Sequence, residues 1–233
     1  MLFRSSARQP ADVEMSRPTA ADEALLIGAL ERNDAVPSGM SSGEIAARLF
    51  AYQALLLRWN GTFNLVSRQD SQRLLRRHLL DALQLLPYLQ GARVLDVGTG
   101  AGLPGMVLAI VRPDLAFTLL DRVGRKVRFL VQARAELALH NVTAVCGDAL
   151  NWRSEVPFDT VTTRAVTTGA DLQALVLPHL ATDGVLLAQL GANQLAADVA
   201  ALPPALQLRD EHRYQLVGIA GEFRIAVMHR SAS

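Results

Sequence analysis

Residues 93–105, Arg-Val-Leu-Asp-Val-Gly-Thr-Gly-Ala-Gly-Leu-Pro-Gly, constrain the fold more than any other stretch of the chain. An apolar strand (Val94, Leu95, Val97) runs into Asp96 and then into Gly98, Gly100, Gly102 and Gly105. Glycines recur where a backbone turns with positive φ or where a ligand must approach with no Cβ in the way. Pro104 and the apolar run Met106–Val111 follow, and a proline in the first helical turn loses no hydrogen bond. The pattern is strand, glycine loop, helix, the nucleotide cradle of doubly wound α/β folds.

Residues 100–105 match Gly-x-Gly-x-x-Gly, so a dinucleotide dehydrogenase has to be weighed. Asp96 at the strand end and the alternating glycines resemble another pattern, the first motif of class I S-adenosylmethionine (SAM) methyltransferases: Asp96-x-Gly98-x-Gly100-x-Gly102. That resemblance implies a loop passing under the methionine part of SAM, with Asp96 fixing the loop and the amino group. A second apolar strand, Ala116–Leu120, ends in Asp121, 21 residues beyond Gly100. A carboxylate at about 20 residues' spacing reaches a ribose hydroxyl pair. Further strands are expected at Val142–Cys146, before Gly147-Asp148-Ala149, and at Phe158–Arg164.

The 233 residues suffice for one domain with an extension, and 50% hydrophobic with 19% charged residues suits a compact α/β protein. No run approaches the roughly 20 apolar residues of a membrane span, and the N-terminus lacks the apolar core of a signal peptide. The single cysteine, Cys146, falls in an expected inner strand and is read as core; without a second thiol the chain suits a reducing cytoplasm. The five histidines are scattered and no metal-ligand spacing occurs. Net charge is only +1, yet arginines cluster at 68, 73, 76 and 77 and again at 122, 125 and 128 beside Lys126, the only lysine. Such runs are solvated helix faces or, flanking a cofactor site, tracks for a phosphate backbone.

Residues 1–21 lack periodicity and are expected as a disordered tail; 22–90 form a helical cap on the sheet, and 91–233 the cofactor-binding core. Ser41-x-x-Glu44 is a capping box opening a helix to Trp59, closed by Asn60-Gly61. Asp70 or Ser71 opens the next helix, with Leu75, Leu79, Ala82 and Leu86 on one face. A helix near 170–180 closes at Asp183-Gly184, followed by a strand at 185–190, a helix to about Ala201 and a break at Pro203-Pro204. Glu211–Val217 and Glu222–His229 pair as a terminal antiparallel hairpin on an otherwise parallel sheet with helices on both faces. That ending resembles class I methyltransferases and not dehydrogenases.

With these motifs placed, the chain resembles the ribosomal RNA small subunit methyltransferase G (glucose-inhibited division protein B) family, from about Leu55 to Ala165. The resemblance rests on Trp59-Asn60, Asn64-Leu65, Arg77-His78-x-x-Asp81, Asp96–Gly105, Leu120-Asp121, Lys126-x-x-Phe-Leu130 and Arg164-Ala165. It implies methyl transfer from SAM to N7 of one guanine in 16S rRNA, in the decoding-centre region, with 16S rRNA or the small subunit as partner; no metal and a monomer are expected, the oligomeric state being left open by the residues. It implies that Asp96, Gly98, Gly100 and Leu103 form or line the cofactor cradle and that Asp121 takes the ribose. Asp148, Ala149 and Leu150 would border the adenine, and Arg164 would face the crevice as the candidate for a positioning role in catalysis, its alternative being a salt bridge to Asp96 or Asp121. Asn64, Arg76, Arg77, His78, Arg125 and Lys126 are the candidates for RNA contact, His78 and Asp81 bracing their helix over the site. Two departures stand out: Asp148-Ala149-Leu150 where the family commonly has Arg-Ala-Glu, and Leu190 where it often has Lys. A class I methyltransferase with another substrate, or a SAM-binding regulator, stays open on the residues alone, with the dehydrogenase last.

Overall fold

The computed structural model describes residues 18–33, 36–37, 39–164, 170–191 and 205–231. Its centre is a seven-stranded sheet: β1 (Arg93–Val97), β2 (Ala116–Asp121), β3 (Val142–Cys146), β4 (Phe158–Arg164), β5 (Leu180–Leu190), β6 (Leu206–Tyr214) and β7 (Phe223–Arg230). The spatial order is β3-β2-β1-β4-β5-β7-β6, with β7 antiparallel to both its neighbours and the first five strands parallel. A dinucleotide-binding sheet would continue in parallel beyond β5. Here the chain returns through a hairpin, as its sequence suggests.

The strands alternate their burial between two cores, as a period of two requires. Val94, Phe117, Leu119, Val185, Leu187 and Ile225 face α1 (Ala20–Arg32), α2 (Ser42–Phe63), α5 (Gly105–Val111) and α6 (Gly124–Glu136). Leu95, Val97, Val161, Leu186 and Ala226 face α7 (Ala170–Val176) on the other side. The helices before β1 therefore share one apolar core with α5 and the sheet.

Several boundaries differ from expectation. Helix α1 begins at Ala20, capped by Thr19 and Asp22, so the end of the expected tail at 21 is already helical. Helix α2 opens on the Ser41–Glu44 box but runs through Asn60-Gly61 to Phe63. Its cap is Asn64, left-handed at φ 47°, while the Asn60 side chain accepts a bond from the Val66 amide. The next segment is not one helix. Ser67 caps α3 (Arg68–Ser71), a π-turn spans Leu74–Leu79, α4 covers Leu80–Leu83, and a short 3₁₀ turn follows at Leu86–Tyr88. Asp183-Gly184 does not close a helix but lies inside β5, which begins at Leu180, where the pairing with β4 shifts register. The first hairpin strand starts and stops earlier than the sequence suggests and the second starts and stops one residue later, leaving 215–222 as the connection. The expected helix to Ala201 and Pro203-Pro204 lie outside the described residues. Cys146 is exposed rather than core, because β3 is an edge strand with one side unpaired.

Candidate functional site

The glycine loop leaves β1 at the carboxyl edge of the sheet, where ligands of open α/β sheets bind. It is held by its own backbone and by two acids. The Gly98 and Thr99 amides both donate to the Leu120 carbonyl at 2.9 and 3.1 Å. Asp121 accepts from the Gly100 amide through Oδ2 and from the Val123 amide through Oδ1, each at 2.8 Å. Asp96, buried beneath the loop, accepts from the Gly105 amide at 2.9 Å and from the Thr162 hydroxyl at 2.9 Å. Burial raises the Asp96 carboxyl above its ordinary value, and these hydrogen bonds oppose that rise. Tyr52 of α2 donates its hydroxyl to the Ala101 carbonyl at 2.7 Å, and burial keeps that phenol protonated.

Two glycines are required by this geometry. Gly98 sits at φ 68°, which L side chains rarely adopt. At Gly105 a Cβ would stand 2.3 Å from Leu119 Cδ2 and 2.7 Å from Asp96 Oδ2, so α5 packs against the sheet only without one.

Above the loop lies a cavity of about 540 Å³, within the range of small-molecule sites. Of the residues expected at the cofactor, Gly98, Asp121, Asp148, Ala149 and Leu150 line it, together with Val97, Leu120 and Leu175. Asp96 and Leu103 are buried under the loop and shape it from below, and Gly100 is tied to Asp121 at its side. Arg122 and Lys126 belong to the cavity wall as well. Lys126 therefore faces the cavity, its Nζ 3.8 Å from Asp121, instead of standing with the outward arginines. Asp148 caps its own turn by accepting from the Leu150 amide at 3.0 Å, which leaves the Leu150 side chain exposed at the rim. Buried His179, which sequence reasoning missed, pairs through Nε2 with the Ala149 carbonyl at 2.9 Å and stacks on Trp152. Only tertiary packing reveals it.

The remaining candidates divide between bracing and exposure. Asp81 takes Arg77 at 2.6 Å and the Tyr214 hydroxyl at 2.6 Å, while its backbone carbonyl accepts from Gln189 at 2.9 Å. Arg77 also lies over the Phe223 ring, 4.7 Å from its centre, so it braces the hairpin. Arg76 approaches Asp22 at 3.8 Å. Arg164 is not part of the cavity wall: it stands at the end of β4, turned toward the N-terminal helices, its guanidinium bonded to His78 Nδ1 and not to Asp96 or Asp121. Asn64, Arg68, Arg73, Arg125 and Arg128 are exposed. Ala165, next in the motif, lies outside the described residues.

A family profile described as rRNA small subunit methyltransferase G matches residues 45–224. The chain belongs to that family. Its curated relatives of that same description include a Methylobacillus flagellatus protein, 45% identical over 64% of this chain and 72% of its own length. The Serratia proteamaculans relative is 40% identical over 78% of this chain and 88% of its own. Among solved structures, Thermus thermophilus TrmN shares the fold at a TM-score of 0.54 and 20% identity, covering 66% of this chain and 49% of that one. A Lactobacillus delbrueckii ribosomal protein L11 methylase does so at 0.51 and 16%, covering 67% and 79%. The family match runs through every wall of the cavity, from the glycine loop to Leu175.

The residues present suit the cofactor of a methyltransferase family. A Cβ-free, left-handed Gly98 opens the floor, and Val97, Leu120, Ala149 and Leu150 offer an apolar slot for a flat base. Asp121 spends one lone pair of each oxygen on the backbone, and a carboxylate has others to receive ribose hydroxyls.

Proposed function

We propose that this chain transfers a methyl group from SAM to N7 of one guanine in 16S rRNA, acting on the small ribosomal subunit in the cytoplasm. The observation that carries this is the family match across the whole glycine cradle, on a sheet whose reversed β7 excludes a dinucleotide-binding order. When bound, SAM supplies an electrophilic methyl carbon on a sulfonium. Guanine N7 is a lone-pair acceptor, so no base need deprotonate it. The protein's task is alignment: Asp121, the apolar slot and the loop fix one reactant, and the arginine-bearing surface holds the other. That surface comprises Arg68 and Arg73 on or next to α3 and Arg125 and Arg128 on α6. The guanine is presented unstacked, outside a regular RNA helix, since the deep, narrow major groove of an A-form duplex keeps N7 out of reach of a protein.

The test is transfer of label from SAM to purified small subunits, followed by nucleoside analysis of the 16S rRNA, with Gly98→Asp alongside. Label in N7-methylguanosine is expected, with at least a hundredfold loss in the variant, whose carboxylate would occupy the cofactor's path from a left-handed backbone. SAM binding without label would redirect the reading to another substrate or to a regulator.

A further inference from the structure

Among the helices that pack over the carboxyl edge of the sheet, a chain of polar side chains runs inward from exposed Ser67 through Asp70 and buried His78 to Arg164. Ser67 Oγ donates to Asp70 Oδ2 at 2.6 Å, which leaves Asp70 Oδ1 facing His78 Nε2 at 3.1 Å, off the axis of an ideal hydrogen bond. The other ring nitrogen, Nδ1, is bonded to Arg164 Nη1. A guanidinium has only donors, so Nδ1 must be the bare nitrogen and the ring's single proton sits on Nε2, toward Asp70. We propose that His78 is a positioning residue for Arg164, held by Asp70 as the Nε2–H tautomer so that its Nδ1 lone pair fixes the guanidinium at the end of β4.

Three features besides that bond support the assignment. His78 is 5% exposed and sits in the π-turn Leu74–Leu79, a rare helical form that is frequent at functional sites. Arg164 follows the Val97–Thr163 register pair by one residue, which sets its backbone level with Gly98, the first glycine of the loop that would hold the cofactor under the proposed function. The surroundings also oppose a second proton on the ring. Arg164 on β4 and Arg77 on the same π-turn push the imidazole toward the neutral form together with burial, and only Asp70 on α3 pulls the other way. Asp81, Asp96 and Tyr52 complete the electrostatic setting of Arg164 from α4, β1 and α2.

The role rests on the proposed reaction, but the tautomer does not. Two-bond ¹H–¹⁵N correlation spectra of the wild-type chain should show His78 as Nε2–H with an unprotonated Nδ1 at neutral pH. An Nδ1–H ring or an imidazolium would overturn the proposal directly. His78→Gln, whose Oε1 can accept from Arg164, should keep methyl transfer within a few-fold of wild type. His78→Leu should lower kcat about ten- to a hundredfold with KM for SAM within about twofold, because a guanidinium free to swing loses alignment more than affinity. Equal effects of Gln and Leu would reduce His78 to packing. If His78→Leu does not fold, Asp70→Ala decides instead: several-fold lower kcat and a mixed tautomer are expected, and an unchanged tautomer would remove Asp70 from the chain. If the wild type shows the expected tautomer but no transfer to 16S rRNA, the failure belongs to the proposed reaction.

Discussion

The His78 ring meets water only at its edge and two guanidinium groups nearby, so burial first and Arg164 next lower its pKa from 6.5 to about 3. An unfolded chain would take up a proton at 6.5 that the folded chain refuses until about 3. Stability therefore rises with pH across that window and falls as the solution is acidified through it. From pH 7 to pH 5 the histidine alone should remove about 2 kcal/mol. Asp70, held below its ordinary value despite the opposing effect of burial, adds to acid sensitivity only further down, whereas Asp96, raised by burial, acts in the opposite sense. Urea midpoints for wild type and His78→Gln at both pH values isolate the histidine: the slope should flatten in the variant, and parallel losses would refute the neutral ring. Little of this was legible in the sequence. The glycines announce their loop because backbone conformation is written in residue type, and Asp121 is announced by spacing. The neutrality of His78 depends on Arg164, 86 residues away, and no local pattern encodes that distance.

At the level of elements, the strands with period-two burial and the Ser41–Glu44 box were legible because both are local rules. The π-turn was not. Leu75, Leu79 and Ala82 keep a helical stripe through it, so the apolar pattern is silent about the extra residue in the turn. Position within the sheet was equally hidden, since an edge strand such as β3 can carry the composition of an inner one, and Cys146 was misjudged for that reason. The consequence of the broken helix is a clamp between α4 and the hairpin. Asp81 is reached by Tyr214 from β6, and Gln189 on β5 holds its carbonyl. Tyr214→Phe keeps the ring against Phe223 but removes a donor from a buried carboxylate. The loss should be about 1–3 kcal/mol in urea unfolding, the range for stranding a buried acceptor. A change under a few tenths would mean that Arg77 alone satisfies Asp81.

For the whole molecule, a net charge of +1 conceals an uneven distribution. Several acids are engaged in pairs, Asp81 with Arg77, Asp114 with Arg112 and Glu136 with Arg58, each at 2.8 Å or less. Arg125 and Arg128 are exposed on α6, the helix whose first turn carries Lys126 into the cavity. A polyanion laid across this face would meet cations next to the cavity. If these side chains neutralise phosphates, each releases bound counterions, and the logarithm of the binding constant falls linearly with the logarithm of salt. Arg125→Ala with Arg128→Ala should then weaken binding of a 16S rRNA fragment at low salt and make the slope shallower by ~1.4 for a single-stranded target. Fluorescence anisotropy between about 50 and 200 mM salt reads both quantities. SAM affinity should stay within about twofold, because neither arginine lines the cavity. A slope identical to wild type would place the RNA elsewhere, and α3 with Arg68 and Arg73 would be the next face to test.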